Sequence, residues 1–397
     1  MARPAGKLAV LKALASNPRM LKARPRALGF LCRYMGGFRI QRAGRNLILH
    51  SHLPPLNSKA YGRFVDEHLV ARSEGPSHAQ VGLTDRCPQN CRYCYNRGRK
   101  GAPMDTPTIL RVIRELRELG VFWLGLTGGE PLLNKDIVAI TGSASHDCAV
   151  KLFTTGGGLT PDLAAGLRDA GLFSVSVSLD HWEEEVHDRS RRYPGAFRAA
   201  MRAIEIFRAA GGIQVGVSAV LSRDMLRPEP VEAFLGFLEG LGIDEAWLSE
   251  AKPAIPELWT DDMPISEEER RGLAILQNRR NRQKGMTINY LGHFEGAEKF
   301  GCNAGRKMVY VDAFGEVGPC VFAPMTFGNV RSAALAEICA GMAASFRPGR
   351  TCFMNGNFRL FKDRGHDGFP LPREEAVELM KAVRFGPPPE FERLLRG

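Results

Sequence analysis

Hydrophobic and polar positions change their rhythm twice along the chain. Over residues 1–75 two stretches read as helices. In the second, Ala27, Leu28, Leu31, Tyr34 and Met35 recur at helical spacing, with Arg26 and Arg33 between them. A hairpin pattern follows, 38–41 and 47–50 around Gly44, and Leu53-Pro-Pro-Leu ends it. From residue 78 the order becomes strand, loop, helix, repeated. Strands are predicted at 80–83, 121–126, 150–154, 173–179, 214–221 and 244–248, with helices at 106–119, 161–170, 196–210 and 231–241. Thr106 is placed to cap the first of these helices, with Pro107 in its first turn. Six such units predict an α/β fold, an open or partial (β/α)6 barrel with helices outside a parallel sheet.

After Pro253 the rhythm is expected to stop. Ser266 and Glu269 have capping-box spacing and open a charged bridging helix. Short strands and Gly-rich turns follow to about residue 348, and a last helix at 373–383 with a Pro387-Pro-Pro turn finishes the chain. The expected organisation is an arm (1–75), a barrel (76–253), a bridging helix (254–286), a cysteine-bearing region (287–360) and a tail (361–397).

Composition narrows the class. With 44% hydrophobic and 24% charged residues among 397, the chain is globular, and no apolar run approaches the ~20 residues of a spanning helix. Lys7 and Lys12 interrupt the one candidate leader, 8–15, so a cytoplasmic chain is expected. Net charge is +11, yet eleven Lys or Arg and no acid lie between Met1 and Arg45. The remainder carries 43 of each sign. The excess belongs to the arm, which argues against a nucleic-acid-binding body.

Nine cysteines without an export signal point to metal chemistry in a reducing compartment. Cys87-Pro-Gln-Asn-Cys91-Arg-Tyr-Cys94 follows the first barrel strand, at the strand ends where barrels place their chemistry. Three thiolates are one short of a closed tetrahedral or cubane site. The plain alternative is a zinc knuckle completed by His50, His52 or His78. Thr127-Gly-Gly-Glu-Pro131 follows the second strand, where two glycines allow close approach to backbone and an acid suits an ammonium group. Together the two motifs resemble the radical S-adenosylmethionine (radical SAM) superfamily, whose hallmark is Cys-x3-Cys-x2-Cys followed by Gly-Gly-Glu-Pro.

The resemblance spans about residues 78–250. It implies that Cys87, Cys91 and Cys94 hold a 4Fe-4S cluster whose open iron is chelated by S-adenosylmethionine (SAM), cleaved on reduction to a 5′-deoxyadenosyl radical. Gly128, Gly129 and Glu130 would bind the SAM amino group and Tyr93 would lie near the adenine. Ser178 and Asp180 would meet the ribose, and Arg191 the carboxylate. Arg192 stands where the family pattern has Gly. Downstream, Cys302-x12-Gly315-x4-Cys320 and Cys352 resemble the SPASM/twitch extension, which implies an auxiliary iron–sulfur cluster. That extension normally has seven cysteines. Here three well-placed thiols remain, with Cys339 the one further candidate; it reads as a buried helix residue, and Cys32 and Cys148 as core, so one auxiliary cluster with a non-Cys or vacant fourth position is expected.

Such enzymes, as the resemblance implies, take electrons from a flavodoxin or ferredoxin. A peptide substrate is expected first. A lipid or other amphiphile, with the basic arm peripheral on an anionic membrane, is the alternative. The arm would otherwise dock an acidic leader peptide or form a basic lid, and with the C-terminal region it is a candidate cover for the barrel mouth. A non-enzymatic electron carrier or zinc-stabilised binding protein is the reading from a different class.

Overall fold

The computed structural model describes residues 3–4, 17–283, 285–364 and 369–396. The start of the arm, including Lys7, Lys12 and the 8–15 stretch, lies outside the described residues. The arm helix Pro25–Met35 buries Ala27, Phe30, Leu31 and Tyr34, the apolar stripe its spacing predicts. Cys32 lies off that stripe and is exposed, not core as expected. The hairpin forms a few residues inward of its expected positions. β1 (Arg3–Pro4), β2 (Gln41–Ala43) and β3 (Asn46–Ile48) make a small antiparallel sheet, with Gly44 in the β2–β3 turn at φ +55°.

The six predicted barrel strands are present and adjacent in chain order. They are β4 (His78–Gly82), β5 (Trp123–Thr127), β6 (Ala149–Thr154), β7 (Ser174–Ser178), β8 (Gln214–Leu221) and β9 (Glu245–Glu250), all parallel. β5 is buried at every position, as a parallel strand covered on both faces should be. The helix Thr106–Glu118 turns Ile109, Val112, Ile113 and Leu116 inward. Its cap is Asp105, whose carboxylate accepts from the Thr108 amide at 2.9 Å, and not Thr106.

The βα rhythm does not stop at Pro253. The helix Glu267–Asn281 has its capping box, Glu269 N donating to Ser266 Oγ at 3.1 Å. It leads into β10 (Thr287–Tyr290), which pairs parallel with β9. β11 (Met308–Val311) joins the opposite edge, parallel to β4, and turns at Gly315 (φ +85°) into antiparallel β12 (Val317–Gly318). Among the described residues the sheet thus has nine strands, ordered β10-β9-β8-β7-β6-β5-β4-β11-β12. Helices Ile137–Ser145, Glu184–Arg191, Phe353–Lys362 and Glu390–Arg396 escaped the sequence pattern, and the last of them, not 373–383, ends the described chain.

The described residues of the arm lie at the base of the barrel and not over its mouth, where the sequence offered the arm as a cover. Its apolar face packs with Phe122, Trp123, Ala149 and Phe173, at the strand starts, and with Phe300 and Leu395. It therefore closes the base. Ser51 fastens it: its amide donates to Glu245 Oε2 at 3.0 Å and its carbonyl accepts from Trp123 Nε1 at 2.7 Å. Its hydroxyl accepts from the buried Lys151 ammonium, which sits 3.6 Å from the Trp247 ring centre. Among the described residues no helix is long and apolar enough to cross a membrane.

Candidate functional site

The loop after β4 carries Cys87, Cys91 and Cys94, and the loop after β5 is zipped to it. Gly129 N donates to Thr84 O and Glu130 N to Arg86 O, each at 2.7 Å. A Cβ on Gly128 (φ +122°) would fall 2.5 Å from Thr84 O, and one on Gly129 2.3 Å from Arg86 O. The two glycines are thus required first for loop-to-loop contact, and only then leave a backbone edge facing the cavity beyond.

Glu130 departs from its expected task. It is fully buried, and its carboxylate accepts from Leu132 N (3.1 Å), Thr154 Oγ1 (2.6 Å), Thr155 N (2.6 Å) and Thr155 Oγ1 (2.5 Å). Four donors fill the acceptor sites of a carboxylate. Burial still pushes its pKa up. Glu130 ties the loops after β5 and β6 together, and no lone pair remains for an ammonium group.

Asp180 is committed in the same way. Arg191 donates to both of its oxygens, at 2.8 and 2.9 Å, and Val220 N and the Tyr93 hydroxyl complete the set. Burial raises the Asp180 carboxyl, but Arg191 and its other neighbours outweigh that and hold it below the usual range. A ribose contact would have to displace one of these donors. The carboxylate instead aims Arg191, whose Cζ lies 5.5 Å from the Tyr93 ring centre and whose Nη1 is 3.9 Å from Cys91 Sγ. Tyr93, Gly128, Gly129, Ser178 and Arg191 line the cavity, joined by Thr154 and Thr155.

That cavity, of about 270 Å³, runs the length of the lumen. Cys87, Cys91 and Cys94 line its upper wall, and Cys302, Cys320 and Cys352 line it too. His52, His78, Trp123 and Trp247 form its floor at the strand starts. The histidines offered for a zinc knuckle lie there, away from the cysteine loop. His50 bonds Tyr34 Oη at 2.9 Å, His52 stacks on Phe294, and His78 reaches the His52 carbonyl at 3.1 Å. Cys339 sits buried in the helix Leu335–Ser345 and Cys148 is buried beneath β5, as expected.

The donor set, three thiols on one loop and three on the C-terminal wall, suits iron–sulfur clusters. All six are free of disulfides. Among the described residues no three His, Cys, Asp or Glu side chains converge as donors to one ion would. Partial desolvation pushes Cys87 up to about 11 although the residue keeps an exposed surface, and burial raises Cys91 against the pull of Arg191. These thiols keep their protons near neutral pH until a cationic centre displaces them.

Sequence reasoning did not find Lys252, Glu250 and Glu295. Lys252 Nζ lies 2.7 Å from Glu250 Oε1 and 3.5 Å from Glu295 Oε2, beside Cys352. Only Glu295 lies near Cys302 in the chain; nothing local marks Glu250 and Lys252.

Residues 81–237 match the radical SAM superfamily and residues 302–362 the SPASM iron–sulfur cluster-binding domain. The AdoMet-dependent heme synthase of Methanosarcina barkeri is 29% identical over 294 residues, 68% of this chain and 84% of that protein. A PqqA peptide cyclase of Methylobacterium sp. is 30% identical over 290 residues, 66% of this chain and 72% of that one. Among solved structures, SuiB of Streptococcus suis bound to precursor peptide SuiA shares the fold, with TM-score 0.57 at 15% identity over 79% of this chain and 80% of that one. With both motif sets facing one lumen and both domains matched, this chain belongs to the radical SAM superfamily and is an enzyme of its SPASM-bearing class.

Proposed function

We propose that this enzyme modifies a peptide held in the barrel lumen between two iron–sulfur clusters. The observation that carries it is the shared cavity, with one cysteine triplet at the barrel mouth and the other on the C-terminal wall. When bound, the loop cluster and SAM supply one-electron chemistry that yields a hydrogen-abstracting 5′-deoxyadenosyl radical. Cys87, Cys91 and Cys94 would hold that cluster and Cys302, Cys320 and Cys352 the auxiliary one. Arg191, fixed by Asp180, keeps a positive charge beside Cys91. Tyr93, Ser178 and the Gly128–Gly129 backbone give SAM a ring, a hydroxyl and carbonyls. Trp123, Phe153, Trp247 and Phe294 keep the lumen apolar, and the arm shuts water out from below. The peptide assignment draws support from the PqqA peptide cyclase and from SuiB with its precursor peptide.

The electron donor fits an acidic protein such as a flavodoxin or ferredoxin, because Arg86, Arg92 and Lys100 are exposed within and just after the segment that carries the cysteine triplet. One observation favours the second reading, an amphiphile taken from an anionic membrane: Leu21 is 83% exposed beside exposed Lys22. A single experiment separates the two. Anaerobically reconstituted enzyme, SAM and dithionite are mixed with a low-mass peptide fraction or a lipid extract of the source cells. 5′-Deoxyadenosine formation stimulated by the peptide fraction, and abolished by protease pretreatment, supports the proposal. Stimulation by the lipid extract alone overturns it.

A further inference from the structure

The auxiliary triplet leaves a cluster with three thiolates and four corners. We propose that Glu295 supplies the fourth ligand, a carboxylate oxygen. This rests on the reading that Cys302, Cys320 and Cys352 hold a cluster.

Glu295 is placed by the turn that closes β10. It follows the short helix Leu291–Phe294, and its amide donates to Leu291 O at 2.9 Å. Its side chain reaches Lys252 Nζ, which also lines the cavity that the three thiols line. Glu295, Cys302, Cys320 and Cys352 line the same cavity, and the Glu295 carboxylate is an electrostatic neighbour of all three sulfurs.

The other nearby acid is already engaged. Glu250 accepts from Lys252 Nζ at 2.7 Å and from Tyr290 Oη at 3.0 Å. Glu295, by contrast, reaches Lys252 only at 3.5 Å, a contact too long to hold a carboxylate against a metal bond. Lys252 then has a second task. Its ammonium lies between the two carboxylates and beside Cys352, where it offsets the negative charge of three thiolates and one carboxylate around the cluster.

The ligation also fits the position of Glu295 between two spaces. With Glu250, Lys252 and Cys352 it lines both the lumen and a second cavity of about 530 Å³ on the outer side. A ligand at that wall would close the cluster toward the lumen. The auxiliary centre would then act as an electron relay, with no open iron for substrate.

The test uses full-length protein carrying Cys87→Ala, Cys91→Ala and Cys94→Ala, reconstituted anaerobically so that only the auxiliary centre remains. Iron is counted, and the dithionite-reduced electron paramagnetic resonance spectrum is recorded with and without imidazole. The parent is expected to hold about four iron atoms and to ignore imidazole. Glu295→Ala should either give a shifted spectrum that imidazole shifts again, or lose iron that Glu295→Cys restores. Identical spectra for parent and Glu295→Ala, or iron lost in Glu295→Ala and not restored by Glu295→Cys, would overturn the ligand assignment. If Cys302→Ala and Cys320→Ala leave the parent's iron unchanged, the auxiliary-cluster reading itself fails, a different result from either of these.

Discussion

Arg192 closes the helix that carries Arg191, and it does so in a left-handed backbone at φ 49°. An L residue there costs about 1–2 kcal/mol, and its side chain is exposed. Glycine would relieve that strain at some entropic cost in the unfolded chain. Arg192→Gly is therefore expected to stabilise the protein by about 0.5–1 kcal/mol in urea unfolding, with SAM cleavage retained. A loss of stability would show that the Arg192 side chain holds the loop. At this scale the structure brings Tyr93, Gly128, Gly129, Ser178, Arg191 and both cysteine triplets to one cavity, and gives Glu130 and Asp180 protein partners that the sequence did not foretell. The cysteine triplet is contiguous, so its chemistry is legible without a fold. Glu130 and Asp180 are not, because groups that occupy them come from other segments: Thr154 and Thr155 at the end of β6 for Glu130, and Tyr93, Arg191 and Val220 for Asp180. An acid beside a binding loop reads as a ligand until its donors are seen.

The arm is the element whose meaning depends most on the rest of the chain. Its stripe of apolar positions predicts a buried face, but the partner surface is assembled from strand starts and from Phe300 and Leu395, which no local pattern links to it. Its basic residues suggested an outside partner, while its apolar face and Ser51 bind it to the barrel. Buried histidines at that seam make it sensitive to acid. Burial lowers His50 to about 3 and His78 to about 4, and His68 nearby to about 4. Unfolded histidine titrates near 6.5. Between those values the unfolded chain binds more protons, so stability falls as pH falls, by about 1.4 kcal/mol per pH unit for each histidine. Asp180, held below the usual carboxylate range, adds to the loss only at lower pH still. The urea midpoint is expected to drop clearly between pH 7 and pH 5, with tryptophan fluorescence from Trp123 and Trp247 reporting the seam. A midpoint unchanged over that interval would mean that the histidines are charged or exposed in the folded protein.

For the whole molecule, the six-stranded core was legible because each unit repeats the same local signal. Short strands were expected from about residue 287, but not that β10 and β11 extend the same sheet, since they are short and sit among turns that look like a separate region. Their placement on opposite edges of one sheet brings the C-terminal thiols round to the lumen that the first triplet overlooks. Both proposed cluster sites, the arm's plug and the apolar floor therefore serve one enclosed space. The most direct test of that account is 5′-deoxyadenosine formation from SAM by anaerobically reconstituted protein under dithionite, compared with Cys91→Ala. Formation by the wild type and none by the variant is the predicted result. Iron-loaded wild type that leaves SAM intact, or a Cys91→Ala variant that still cleaves it, would contradict the account.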